Sequence, residues 1–258
     1  MMKTGAQLFT LRMYTQNELD LGRTLEKVAA IGYENVQLSA VGPISPKRIK
    51  ALCDENGLKI VLTHNAEEKF LNNLSALIEE HQIYQCKYVG LGSIAERYRS
   101  AVWCDHFAAD FEKCMQKLND AGMKFMYHHH AFEFCRLPNG KTLMDRLFEM
   151  LPAELFGVTA DTYWLQFAGL DVVDWLEAHA ERLSCVHFKD MTIAGWQNRM
   201  AAVGAGNMNF QKIWNVLAAN GVTEYVLVEQ DDCYGENPFT CLTTSYHTLE
   251  KLQKHPAT

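Results

Sequence analysis

None of the eight cysteines (Cys53, Cys86, Cys104, Cys114, Cys135, Cys185, Cys233 and Cys241) stands in a C-x-x-C pair. That absence excludes a zinc ribbon and a thioredoxin-like motif, and marks most of the thiols as small core residues of a protein in a reducing cytosol. Lysine and arginine form no run, and the formal net charge is -7 with a pI near 5.8. A chain of that sign repels phosphate backbones, which argues against a nucleic-acid partner. No apolar stretch approaches the roughly 20 residues of a membrane span, so no membrane partner is expected. The opening M-M-K-T-G-A-Q-L-F lacks signal-peptide shape, which leads to a cytoplasmic expectation. With only six prolines and no Pro- or Ser-rich linker, the whole of residues 1–258 reads as one domain.

What is present is an alternation of strand and helix from end to end. Strand-like runs cover Gly5 to Phe9, Asn35 to Leu38, Lys59 to His64, Tyr88 to Leu91, Lys124 to His128, Gly157 to Asp161, Ser184 to Lys189 and Tyr225 to Glu229. The segments between them carry helical periodicity, as in Phe107, Phe111, Cys114 and Leu118, or Phe210, Ile213, Trp214 and Leu217. Ser45-Pro46 reads as an N-cap followed by proline at the first helical position. Gly32, Gly57, Gly122 and Gly221 each fall between a helix and a strand, where a left-handed terminator belongs. Eight such units favour a single (β/α)8 TIM barrel. An open doubly wound sheet would carry a glycine-rich turn after its first strand, and G-A-Q-L-F-T-L-R does not.

In such a barrel the carboxyl ends of the strands share one mouth. Those ends hold Gln7, Gln37, His64, Gly90 to Gly92, His128 to Glu133, Asp161, His187 with Lys189, and Glu229 with Asp231. Ionisable groups following apolar runs are over-represented there, which points to a site. Two glutamates, an aspartate and a histidine suit a divalent ion used as a Lewis acid.

Several stretches resemble the sugar phosphate isomerase/epimerase family of xylose isomerase-like barrels. They are G-A-Q-L-F-T-L-R, Y-H-H-H-A-F-E-F, D-T-Y-W, V-H-F-K-D, V-G-A-G-N-M-N-F and V-E-Q-D, in order along the chain. The resemblance implies one metal ion held by Glu133, Asp161, His187 and Glu229, with Mn2+ expected first and Mg2+, Co2+ or Zn2+ as alternatives. Three departures stand out. His129 occupies a place where many relatives carry asparagine. Ala205 and Asn209 replace acidic residues of the V-G-x-G loop. Glu133 lies six residues beyond the strand-end position, held here by Tyr127, and has to fold back from the loop.

The resulting expectation is a sugar isomerase or epimerase acting on a ketose, keto-polyol or keto-sugar. Glu133 and Glu229 exchange protons on opposite faces of an enediolate, and Lys189 holds a substrate oxygen. His64, His128, His130 and Trp164 are expected substrate contacts, with Phe9 and Trp196 as further stacking candidates. The alternatives are a dehydratase or lyase on an inosose or 3-keto-glycoside, and an inactive sugar-binding barrel. An apurinic-site endonuclease on the same barrel is disfavoured by the acidic charge. Asp190 and Asp231 read as loop caps or partners of ligands. His81, His106, His179, His247 and His255 read as surface groups. The expected partner is a small carbohydrate, and self-association as a homo-oligomer is left open. No Gly-rich loop followed by Lys or Arg offers a phosphate cradle, which favours a neutral sugar.

Overall fold

The structure, a computed structural model, describes residues 2–100 and 103–254. Eight parallel strands close a barrel: β1 (Lys3–Gln7), β2 (Asn35–Leu38), β3 (Lys59–Asn65), β4 (Tyr88–Leu91), β5 (Lys124–His128), β6 (Phe156–Asp161), β7 (Cys185–Phe188) and, after an inserted hairpin, β10 (Tyr225–Val228). Each strand lies beside its neighbour in the barrel sequence, and β10 closes the ring against β1. The hairpin pairs β8 (Asp190–Ala194) with β9 (Gln197–Ala201) antiparallel, immediately after β7. Its ten paired residues had no counterpart among the expected strands.

The period of two along a strand sorts the side chains. Outward residues such as Val36, Val89, Phe125, Tyr127, Val158, Val186, Phe188 and Val226 join the helices in one large apolar layer. A smaller cluster of Leu62, Tyr88, Met126, Cys185 and Leu227 fills the barrel's interior. Two residues further along the same inward rows come His64, Gly90, His128, His187 and Glu229. The apolar plug and the polar mouth are thus two layers of one pattern.

Gly32, Gly57, Gly122 and Gly221 all take positive φ at helix ends, as expected. Pro46 opens the helix Pro46–Glu55, although the Ser45 hydroxyl makes no capping hydrogen bond. Gly90 has a different duty. A Cβ there would lie 2.2 Å from the Thr63 carbonyl oxygen and 3.2 Å from the His64 ring. Backbone cannot move aside as a rotamer can, so Gly90→Ala is expected to destabilise the fold by about 1–3 kcal/mol and to shift His64. Urea unfolding, with the His64 imidazole followed by NMR, checks both effects.

Among the described residues no helix is long and apolar enough to cross a membrane.

Candidate functional site

His187 and Lys189 leave β7 into the barrel mouth. The His187 Nε2 meets Gln37 Oε1 at 2.7 Å, which directs its Nδ1 towards Glu229 Oε2 at 3.1 Å and Asp161 Oδ2 at 3.9 Å. Glu229 is aimed by Gln7, whose amide nitrogen donates to its Oε1 at 2.5 Å. Asp161 is aimed by the start of the following helix: its Oδ1 accepts from Trp164 N. The two glutamines at the ends of β1 and β2 therefore act as positioning residues, a role that strand-end location alone did not reveal.

Asp161, His187 and Glu229 lie together with His128, their potential ligand atoms all within 4.8 Å of one another. Asp161 Oδ2 and Glu229 Oε2 face the Lys189 ammonium, and Glu229 Oε2 also faces His187 Nδ1, whereas His128 Nδ1 is buried without a hydrogen-bond partner. A buried nitrogen left without a partner is costly unless something else satisfies it, and a cation beside the two carboxylates does so. The donor set fits a divalent metal ion.

Glu133 departs from the expectation. It is fully buried, but its Oε1 accepts from the Tyr127 hydroxyl at 2.6 Å and its Oε2 from His130 N at 2.9 Å. Each oxygen thus accepts one hydrogen bond that pins the loop after β5, and Glu133 is not among the grouped ligand residues. Burial pushes its carboxyl up to about 7, against the lowering pull of those two donors.

Lys189 is 1% exposed, and its ammonium lies 3.0 Å from Asp161 Oδ2, 2.9 Å from Glu229 Oε2 and 2.9 Å from Asp231 Oδ1. Burial alone would discharge it, but the three carboxylates hold it charged well above the ordinary lysine value. Burial likewise opposes ionisation of Glu229, yet Lys189 and His187 keep its carboxyl well below the usual range. Burial raises Asp161, with Lys189 pulling the other way. Asp231 is pushed up to about 6 by burial and by Glu229.

The remaining expected contacts gather around these groups. Ring centroids separate His64 from His128 by 5.0 Å, His128 from His187 by 4.7 Å, His128 from His130 by 4.8 Å and His130 from Trp164 by 5.4 Å. Burial holds His64 neutral down to about 3 and His130 down to about 4, with His187 and Lys189 respectively adding repulsion. His64 Nε2, His130 Nδ1 and Trp164 Nε1 are also unpartnered. Neutral imidazoles and an indole with free polar atoms around a single fixed ammonium suit a ligand rich in hydroxyls.

Other expectations divide. His129 points away from the mouth and supports it from behind: its Nε2 accepts from Asp161 N at 3.0 Å. Asp190 is a loop cap, accepting from the backbone of Gly204, Gly206 and Met208 in the V-G-A-G-N-M stretch. Asn209 caps the next helix through Lys212 N. Trp196 stands fully exposed at the hairpin turn, stacked on no ring among the described residues. His81 is no surface group. It is fully buried, bonding Thr63 Oγ1 at 2.7 Å and Leu77 O at 2.8 Å, because β3 turns a hydroxyl outward beneath its helix. His106 and His247 are exposed, His179 is half-buried, and His255 lies outside the described residues.

Known proteins share this architecture. The family described as xylose isomerase-like TIM barrel matches residues 25–240. An inosose dehydratase of Geobacillus kaustophilus is 23% identical over 291 residues, covering 94% of this chain and 89% of that protein. A sugar phosphate isomerase/epimerase from Parabacteroides distasonis superposes with a TM-score of 0.80 at 20% identity, over 97% of this chain and 98% of its own. An L-ribulose 3-epimerase superposes at 0.77 with 13% identity, covering 99% and 96%. These likenesses in structure speak for the fold alone. The chain belongs to the xylose isomerase-like TIM barrel family.

Proposed function

We propose that the protein is a divalent-metal-dependent dehydratase that removes water from a cyclic keto-polyol of the inosose class. The observation that carries this reading is that Tyr127 and His130 N each hold one oxygen of Glu133, which is not among the residues whose ligand atoms converge. Epimerisation through two opposed carboxylates needs an acid on each side of the substrate. Here the carboxylates Asp161, Glu229 and Asp231 all gather about Lys189, while imidazoles supply the unpartnered polar atoms beyond them. The similarity to an inosose dehydratase along nearly the whole chain supports the same class.

A metal ion held by Asp161, His187 and Glu229 would polarise the substrate carbonyl. Lys189, fixed in its charged form with its three N–H donors directed at Asp161, Glu229 and Asp231, holds those carboxylates in place and adds positive charge near the oxygen on which negative charge develops. His130 is neutral, only partly buried and free at Nδ1, and it takes the proton from the carbon next to the carbonyl. The resulting imidazolium is destabilised by burial and by Lys189, so it readily returns that proton to the departing hydroxyl on the neighbouring carbon. One C–H and one C–O bond break, a C=C bond forms, and water leaves. Trp164 offers its ring to the apolar face of the substrate and its Nε1 to a hydroxyl.

The deciding experiment is incubation of metal-supplemented protein with inososes, ketoses and 3-keto-glycosides in D2O, followed by NMR and mass spectrometry. Loss of one water with appearance of an unsaturated ketone is expected. Epimerised or isomerised product carrying solvent deuterium, with no water lost, would instead establish the isomerase reading that the L-ribulose 3-epimerase likeness keeps in view. Tight binding without turnover would leave a sugar-binding barrel.

A further inference from the structure

The ligand set expected from the sequence had three carboxylates and one imidazole. The groups that converge have two of each, and the difference lies in Glu133 and His128. Glu133 already has one oxygen held by the Tyr127 hydroxyl and the other by the His130 amide, and it is not among the converging residues. Its side chain also anchors the short helical turn Phe132–Phe134, so the loop would have to move with it. His128 needs no such change. It is the last residue of β5, 4% exposed, and inward-facing above Met126 in the barrel's own alternation. Its Nδ1 is without a partner and lies in one cluster with His187 and with the Asp161 and Glu229 carboxylates that Lys189 faces.

Donor chemistry then has a consequence for the ion. Imidazole suits zinc, cobalt and their neighbours, whereas magnesium and manganese prefer oxygen and keep several waters in octahedral array. Two imidazoles and two carboxylates are a donor set of the zinc type, and such an ion can expand to a fifth position for a substrate oxygen. A second grouping of His64, His128 and His187 adds a third imidazole next to it. The surroundings are therefore nitrogen-rich on the side where an oxygen ligand was expected.

We propose that this chain holds its divalent ion through His128, Asp161, His187 and Glu229, with Glu133 outside the ligand set, and that the second imidazole selects zinc-type ions over magnesium and manganese. The proposal rests on the metal dependence argued above but not on the reaction assigned to it.

The test uses the metal-stripped full chain as wild type, E133Q, H128Q and H128D. Co2+ is titrated by visible absorption, and Zn2+ against Mn2+ by competition calorimetry, with circular dichroism reporting the fold. Wild type is expected to bind one Co2+ with the intense bands of a four-coordinate ion, and E133Q to match it within about threefold in affinity. H128Q should bind at least about tenfold more weakly with pale bands, and H128D should narrow the preference for Zn2+ over Mn2+. If H128Q does not fold, the H128D ratio decides. Binding lost in E133Q but kept in H128Q overturns the proposal and leaves the functional reading untouched. Binding as expected, with no keto-polyol turned over, supports the proposal and overturns that reading instead. No stoichiometric binding by wild type overturns both.

Discussion

Lys189→Met is expected to cost the metal-free protein about 3–5 kcal/mol of stability, because it strands buried carboxylates rather than because it removes a contact. The Lys189 ammonium is the cation that faces Asp161, Glu229 and Asp231 together, at 2.9–3.0 Å from an oxygen of each. Asp161 is fully buried and Glu229 nearly so. Methionine fills much the same volume, so the loss reports charge and not a cavity. A divalent ion can take over the duty of the missing ammonium. Zinc at a hundredfold excess over its dissociation constant should restore roughly 2.7 kcal/mol. Urea unfolding of wild type and K189M, each in chelator and in zinc, gives the four numbers required. Equal stability of the two proteins in chelator would show that the ammonium does not balance the carboxylates.

The parts of this site legible in the sequence are those governed by a period of two. Leu62 and His64, Met126 and His128, Cys185 with His187 and Lys189, and Leu227 and Glu229 each place an apolar residue one step below a polar one on an inward row. The fold followed from the same regularity, since eight apolar runs alternating with helices, five of them ending in ionisable groups, fit a closed parallel barrel that brings those ends to one mouth. What could not be read depends on the path of loops and on partners far along the chain. Glu133 sits five residues past the last residue of β5, and its fate was decided by a hydroxyl on an outward row, that of Tyr127. The duties of Gln7 and Gln37 require partners 222 and 150 residues away. His81 looked like a helix-surface residue because nothing local announces that Thr63 will meet it. The hairpin Asp190–Ala201 lacks a strong turn signal beyond Gly195, and its exposed Ile193 and Trp196 blur the alternation by which strands are recognised.

The crowd of imidazoles at the mouth makes a second large effect, a loss of stability on mild acidification. In an unfolded chain a histidine gains its proton near 6.5. In the folded protein burial holds His64 neutral down to about 3, His129 to about 3 and His130 to about 4, and keeps His128 well below its ordinary value. Between those values and 6.5 the unfolded chain binds more protons, so stability is full above about 6.5 and drains away as the pH falls. At pH 5 His64, His129 and His130 each cost about 2 kcal/mol, and His128 acts in the same direction. Glu133 and Asp231 act in the opposite sense. Their folded-state values of about 7 and about 6 exceed the unfolded ones, so they favour the folded chain on acidification. At pH 5 their combined gain is roughly 4 kcal/mol, less than the histidines lose together. The metal-stripped protein should therefore lose about 2–4 kcal/mol between pH 7.5 and pH 5, measured by urea unfolding at each pH. The two contributions separate by mutation: H64Q combined with H130Q should flatten the dependence, whereas E133Q should steepen it by leaving the histidines less opposed. A flat profile in wild type would mean that the imidazoles are already hydrated and open to protons at the mouth, and with them the neutral, unpartnered His130 required for proton transfer would be lost.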